Sequence, residues 1–147
     1  SKKKPRPTPV PAAPIPGLID AHTHLASTGA TTQADIDAIM ERALSAGVER
    51  VCTVGDGLAE AEQALAAAHM HEGVFAACAI HPTRAAELDD ATRERLTQMA
   101  SDARCVAVGE TGIDTYWIRH DAENTADLAT QEEAFRWHIQ LAVDSGK

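Results

Sequence analysis

Aromatic residues, cysteines and long apolar runs are all scarce in this sequence, and each shortage narrows what the chain can be. Its 147 residues include two Phe, two Trp and one Tyr. So few rings argue against an aromatic-rich β-sandwich, whereas abundant alanine suits helices packed on a sheet. The three cysteines, Cys52, Cys78 and Cys105, are odd in number and far apart. Each sits in an apolar stretch (RVCTV, FAACAI, CVAV), so they read as reduced core residues, not as a disulfide or zinc framework. No apolar run approaches the roughly 20 residues that span a bilayer. No charged-then-apolar signal segment opens the chain, and a cytoplasmic protein is expected.

Positive charge is scarce too. The formal net charge is −9, and Lys2, Lys3, Lys4 and Arg6 all lie within the first six residues. Taking away those four positive charges leaves −13 for the remainder. An acidic body argues against a protein that coats long nucleic acids by counterion release. It leaves room for an enzyme that meets phosphates through bound metal ions, the largest local charges in such sites. Six of the seven prolines fall in residues 1–16, which have no periodicity. That stretch is expected to be a disordered or polyproline-like tail with a solvated basic end, ahead of one domain over residues 17–147.

From Gly17 onward short apolar runs alternate with helical patterns. GLIDAH is the first strand candidate. Thr32 and Asp35 form an acidic variant of the capping box and open a helix whose Ile36, Ile39, Met40, Ala43 and Leu44 share one face until Gly47. RVCTV predicts a second strand, followed by an alanine-rich helix from Leu58 to Met70. VFAACAI predicts a third, ending at His81-Pro82, with a helix over about Ala91–Ala103 that turns Leu96 and Met99 inward. CVAV is the fourth strand and runs into GETGID. A long polar loop is expected over residues 115–130. The last helix then follows, with Phe135, Ile139 and Val143 at helical spacing and Trp137 and Leu141 widening the apolar face. Apolar strands each followed by an amphipathic helix predict four βα units on a parallel α/β sheet buried on both faces.

The candidate chemistry gathers where these strands end, the edge at which parallel α/β folds place their sites. Side chains alternate along a strand, so Asp20, His22 and His24 of LIDAHTHL can share one side. Two imidazoles at that spacing can converge on one cation, with Asp20 orienting a ring or joining as a ligand. The repeat of that spacing in His69-Met70-His71 lies near a helix end, where such residues are about 200° apart, and is read as structural. Glu110, placed between Gly109 and Thr111-Gly112 after the fourth strand, offers oxygen ligands where the backbone can approach closely. Pro82 holds His81 extended at the third strand end, suited to a ligand or phosphate contact. Asp114 and Tyr116 are further candidates for substrate binding or for shaping the loop. Arg84 is the nearest positive charge and fits a surface salt bridge equally well.

Four segments in this order, DAHTHL, VFAACAIHP, VAVGETGIDTYW and QEEAFRWHIQLAVDSGK, resemble the TatD-type metal-dependent hydrolases of the amidohydrolase superfamily, often described as deoxyribonucleases. The resemblance covers residues 17–147. It implies a (β/α)₈ barrel of TIM type with two divalent metal ions (Mg, Mn or Zn) at the C-terminal face of its strands. On this resemblance His22 and His24 are metal ligands, Glu110 is the catalytic carboxylate bridging the ions, and His81 lies near the substrate phosphate. The implied reaction is hydrolysis of a phosphodiester, with DNA the leading substrate and the ions acting as Lewis acids. The family pattern continues with histidines on the fifth and sixth strands and an aspartate on the last, none of which this sequence holds. The chain is therefore expected to be the N-terminal half of the enzyme, with about four βα units, a poor catalyst alone and able to self-associate through open sheet edges. Two alternatives remain: a superfamily hydrolase of small amides or esters, and a non-catalytic half-barrel interaction fragment.

Overall fold

The computed structural model describes residues 6–147, and the Lys2–Lys4 part of the expected tail lies outside the described residues. Residues 6–15 carry no regular secondary structure and are exposed. Four strands follow, β1 (Leu18–Thr23), β2 (Val48–Val54), β3 (Val74–Ala77) and β4 (Cys105–Ala107), paired in parallel in the order β1-β2-β3-β4. Between them run α1 (Gln33–Ser45), α2 (Leu58–Met70) and α3 (Asp90–Ala100), while α4 (Thr115–His120) and α5 (Leu128–Ser145) follow β4.

Local chemistry sets these boundaries. At the start of α1 the Thr32 hydroxyl accepts from the Asp35 N–H at 3.3 Å, and the Asp35 carboxylate accepts from the Thr32 N–H at 3.1 Å. These two bonds satisfy donors that the first helical turn leaves unpaired. Past the end of α1, Gly47 has φ 86°, and a Cβ there would collide with the Ile15 backbone. Only glycine combines that backbone conformation with so close an approach. Aspartates cap three further helices: Asp89 on α3, Asp114 on α4 and Asp127 on α5.

The core lies between the sheet and its helices. Ile36 and Met40 of α1, Ala61, Ala64 and Ala68 of α2 and Leu96 and Met99 of α3 pack with Val51, Val74, Ala76, Cys78 and Cys105. All three cysteines are free, with Cys78 and Cys105 buried and Cys52 half-buried. Arg104 donates to the carbonyls of Ala68, His71, Glu72 and Val74 and lies over the Phe75 ring, which ties the end of α2 to β3.

Several features differ from the sequence reading: β3 stops at Ala77, short of Ile80, and α3 ends at Ala100. The stretch expected as a polar loop contains α4 and a 3-10 turn over Ala122–Asn124, because Asp114 caps a helix too short to show periodicity. Helices cover one face of the sheet only; on the other, Ile19, Ala21, Cys52, Phe75 and Val106 line an open concave cleft of about 430 Å³. Finally, α5 buries Gln131, Ala134, His138 and Leu141, leaving Ile139 and Val143 of the expected stripe exposed.

Candidate metal centre

The C-terminal ends of β1, β2 and β3 and the loop after β4 bring the candidate residues to one edge. β1 ends at Thr23, its pairing with β2 is irregular between Asp20 and Thr23, and His24 is the first residue beyond the strand. The two imidazoles still converge, with His22 Nε2 3.3 Å from His24 Nε2. Glu110 Oε2 lies 3.2 Å from His22 Nε2 and 4.0 Å from His24 Nε2. Asp20 braces the backbone of β1 instead of a ring, since its carboxylate accepts from the His22 backbone N–H at 3.1 Å.

One contact fixes how His24 presents its ring. Its Nδ1 is 2.9 Å from the Val54 carbonyl. A carbonyl only accepts, so Nδ1 carries the proton and the Nε2 lone pair faces the cluster. This is how a ligating histidine is usually oriented, through a bond made by its other nitrogen. Asp56, on the turn after β2, stands 3.8 Å from the same Nδ1.

One ligand atom from each of His22, His24 and Glu110 lies within 4.8 Å of the others. Ligands about 2.0–2.2 Å from a common cation at tetrahedral or octahedral angles sit about 3–3.5 Å apart. The 3.2 and 3.3 Å separations fall in that interval, and the 4.0 Å one is slightly wide. Imidazole nitrogen and carboxylate oxygen also suit zinc, manganese or magnesium as a donor set. The residues present therefore fit a divalent ion.

His81 faces the same carboxylate from the other side. Its Nδ1 accepts from the Thr83 N–H at 3.2 Å and lies 2.7 Å from the Thr83 hydroxyl. Nδ1 is thus unprotonated, and the ring carries its proton on Nε2, 3.7 Å from Glu110 Oε1. The His81 backbone N–H donates to the Asp56 carbonyl at 2.9 Å, which joins the ends of β2 and β3. A cleft of about 320 Å³ opens here between His24, Asp56, His81, Arg84 and Glu110. Arg84 is engaged by two carboxylates, Glu60 at 3.1 Å and Glu87 through paired bonds of 2.8 and 2.9 Å.

Asp114 and Tyr116 lie at the N-cap and on the first turn of α4, after the loop that carries Glu110. The Asp114 side chain accepts from the Trp117 N–H at 3.0 Å as the cap of α4, and Tyr116 is exposed on that helix. His69 and His71 diverge, as expected for a helix end: His69 pairs with Asp102 at 2.8 Å, and His71 Nδ1 accepts from the Gly73 N–H.

Two residues that sequence reasoning missed hold this edge together, both from the buried face of α5. Gln131, fully buried, accepts from the Asp114 N–H at 2.7 Å and donates to the Ala126 carbonyl at 2.9 Å. His138 accepts from the Ile80 N–H at 3.2 Å, one residue before His81, and its Nδ1 donates to the Ala134 carbonyl at 2.7 Å. No sequence signal marked them, because the apolar spacing of α5 does not say which stripe faces inward.

The family model for TatD related DNase matches residues 19–147. An uncharacterized metal-dependent hydrolase TatD from Mycobacterium tuberculosis is 46% identical over 130 residues, which cover 88% of this chain and 49% of that protein. A 3'-5' ssDNA/RNA exonuclease TatD from Cronobacter sakazakii is 34% identical over 110 residues, 75% of this chain and 40% of that protein. Among solved structures, the TatD homolog YJJV from Escherichia coli superposes with a TM-score of 0.71 at 26% identity, covering 87% of this chain and 47% of that one. A TatD family hydrolase from Entamoeba histolytica gives a TM-score of 0.73 at 20% identity, over 90% and 48% of the two chains, a likeness of fold alone. The sheet and its helices are thus four βα units of a TIM-type barrel. The chain spans about half the length of the M. tuberculosis relative and less of the C. sakazakii one.

Proposed function

Because this chain belongs to the TatD-related DNase family of metal-dependent hydrolases, we propose that it supplies part of a divalent-metal centre that cleaves phosphodiester bonds in single-stranded nucleic acid. The observation that carries this reading is the convergence of His22, His24 and Glu110 with His81 facing the same carboxylate. The substrate class follows the exonuclease named from C. sakazakii.

In this reading His22 Nε2, His24 Nε2 and Glu110 Oε2 hold one ion. Glu110 Oε1 is turned toward His81, and a second ion, were one bound, would share the Glu110 carboxylate with the first. Ions bound there supply Lewis-acid polarisation of the phosphoryl group and a more acidic water. The chain's own residues do the positioning. Val54 fixes the His24 ring, and Thr83 sets the His81 tautomer so that Nε2–H donates to a phosphate oxygen. Asp114 holds the start of α4, the helix that carries Tyr116. Glu110 is the catalytic residue of the set.

Because the chain spans about half the length of the M. tuberculosis relative and less of the C. sakazakii one, the decisive readout for this chain is metal binding rather than turnover. Calorimetric titration with Mn²⁺ is expected to show stoichiometric binding and a metal-dependent rise in melting temperature. Both are lost in His24→Ala and in Glu110→Gln. Absence of both effects in the unaltered chain overturns the reading and leaves a non-catalytic module. Where metal binds, cleavage of a short single strand against a panel of N-acyl amino acids separates the phosphodiester reading from an amide or ester hydrolase.

A further inference from the structure

The chain has one Tyr and two Trp, and Tyr116 and Trp117 stand side by side on the six residues of α4. They are not buried: Tyr116 is 58% and Trp117 46% exposed. Aromatic rings are among the largest sources of burial energy, so a fold with so few of them gains nothing in stability by leaving two in solvent. The rings are also ordered with respect to one another. Tyr116 stacks on His120 with centroids 4.0 Å apart and planes at 18°, and Trp117 stands edge-on to Tyr116 at 5.1 Å and 89°. The His120 ring is held by its Nδ1, which donates to the Tyr116 carbonyl at 2.7 Å.

The connecting chain keeps this cluster near the metal centre: five residues lie between Glu110 and Tyr116, so their Cα atoms are at most about 20 Å apart. Between them Asp114 is clamped twice, its N–H donating to Gln131 and its carboxylate capping α4. The cluster also carries a cation. Arg119 bonds to the Thr115 hydroxyl at 3.1 Å and, among the described residues, makes no ion pair with a carboxylate. Arg84, by contrast, is neutralised by Glu60 and Glu87.

We propose that α4 is a base-stacking platform at the lip of the site. The Tyr116–His120 stack and the Trp117 face receive a nucleobase of a single strand, and Arg119 meets a neighbouring phosphate. Successive rings offer a π-face to any base, so such a platform binds single strands with little sequence preference. In this arrangement the base rests on α4 while the scissile phosphate lies toward His81 and Glu110. This rests on the phosphodiester reading above and names what that site recognises besides phosphate.

The test uses the intact chain in EDTA, where cleavage is absent, and fluorescence anisotropy of two labelled strands of equal length, an oligothymidylate and an abasic strand of the same charge. Oligothymidylate is expected to bind about tenfold more tightly than the abasic strand. Tyr116→Ala is expected to abolish that difference while leaving abasic binding and Mn²⁺ affinity unchanged, and Tyr116→Phe to retain it. Equal affinity of the unaltered chain for the two strands overturns the proposal and assigns the exposed rings to a protein contact. An equal loss on both strands in Tyr116→Ala also overturns it. A base-dependent difference without Mn²⁺ binding supports the platform and sinks the metal-centre reading, so the two fail separately.

Discussion

His138 shows how far one side chain on a helix reaches into the site. It is fully buried, and burial pushes its imidazole below the ordinary histidine value; the charge of Arg93 adds to that shift and the bond to Ala134 opposes it. The neutral ring accepts from Ile80 and donates to Ala134, so both nitrogens are satisfied only without a second proton. In the unfolded chain the group titrates near pH 6.5. Below that pH the unfolded state binds more protons than the folded one, so stability contributed by His138 is complete above about pH 6.5 and is lost as pH falls toward the depressed folded value. His138→Ala leaves the Ile80 N–H unpaired beside a cavity and is expected to cost about 2–4 kcal/mol at pH 8. It should also flatten the stability loss between about pH 8 and pH 5.5. Urea unfolding of both proteins at the two pH values checks this, and an undiminished loss in the variant would refute it. The convergence of His22, His24 and Glu110 was legible in the sequence because strand alternation and strand ends constrain where a side chain points. His138 was not, since a histidine in a helix looks like part of the solvated face until the partner N–H on another element is known.

At the scale of elements, the strands and the first three helices were readable from capping and spacing. Thr32 and Asp35 opened α1 as expected, and α2 runs over Leu58–Met70, the span its pattern gives. Periodicity did not, however, say which stripe of α5 faces inward. Phe135, Ile139 and Val143 are the more apolar row, yet the buried row is Gln131, Ala134, His138 and Leu141. Small and hydrogen-bonding side chains win there because the helix must approach closely and satisfy the Asp114 and Ile80 N–H groups, an unmet buried donor costing about 1–3 kcal/mol. The consequence is a sharp contrast between residues two apart on one helix. Ile139, 48% exposed, is expected to tolerate Lys within about 0.5 kcal/mol. Leu141→Ala is expected to cost about 2–4 kcal/mol. Denaturant midpoints of the two variants decide the matter, and comparable losses would return the outer stripe to the core.

For the whole molecule, the unexpected feature is that only one face of the sheet is covered. The strands are apolar enough for burial on both sides, and that composition suggested a closed two-sided environment. Among the described residues β1 pairs only with β2 and β4 only with β3, so both outer edges are open. Lys147 blunts one of them by donating to the Cys105 carbonyl at 2.6 Å, but β1 has Ile19 59% exposed beside the concave apolar cleft. Unpaired strand edges next to apolar surface favour pairing with another chain. The 15.6 kDa chain is therefore expected to sediment above its monomer mass as concentration rises. Ile19→Lys and Val106→Lys place charges on the cleft and should shift the distribution back to monomer without lowering the melting temperature, since both side chains are already exposed. Sedimentation velocity across a concentration series is the measurement. A monomer at every concentration would mean that neither the open edges nor the concave face drives association.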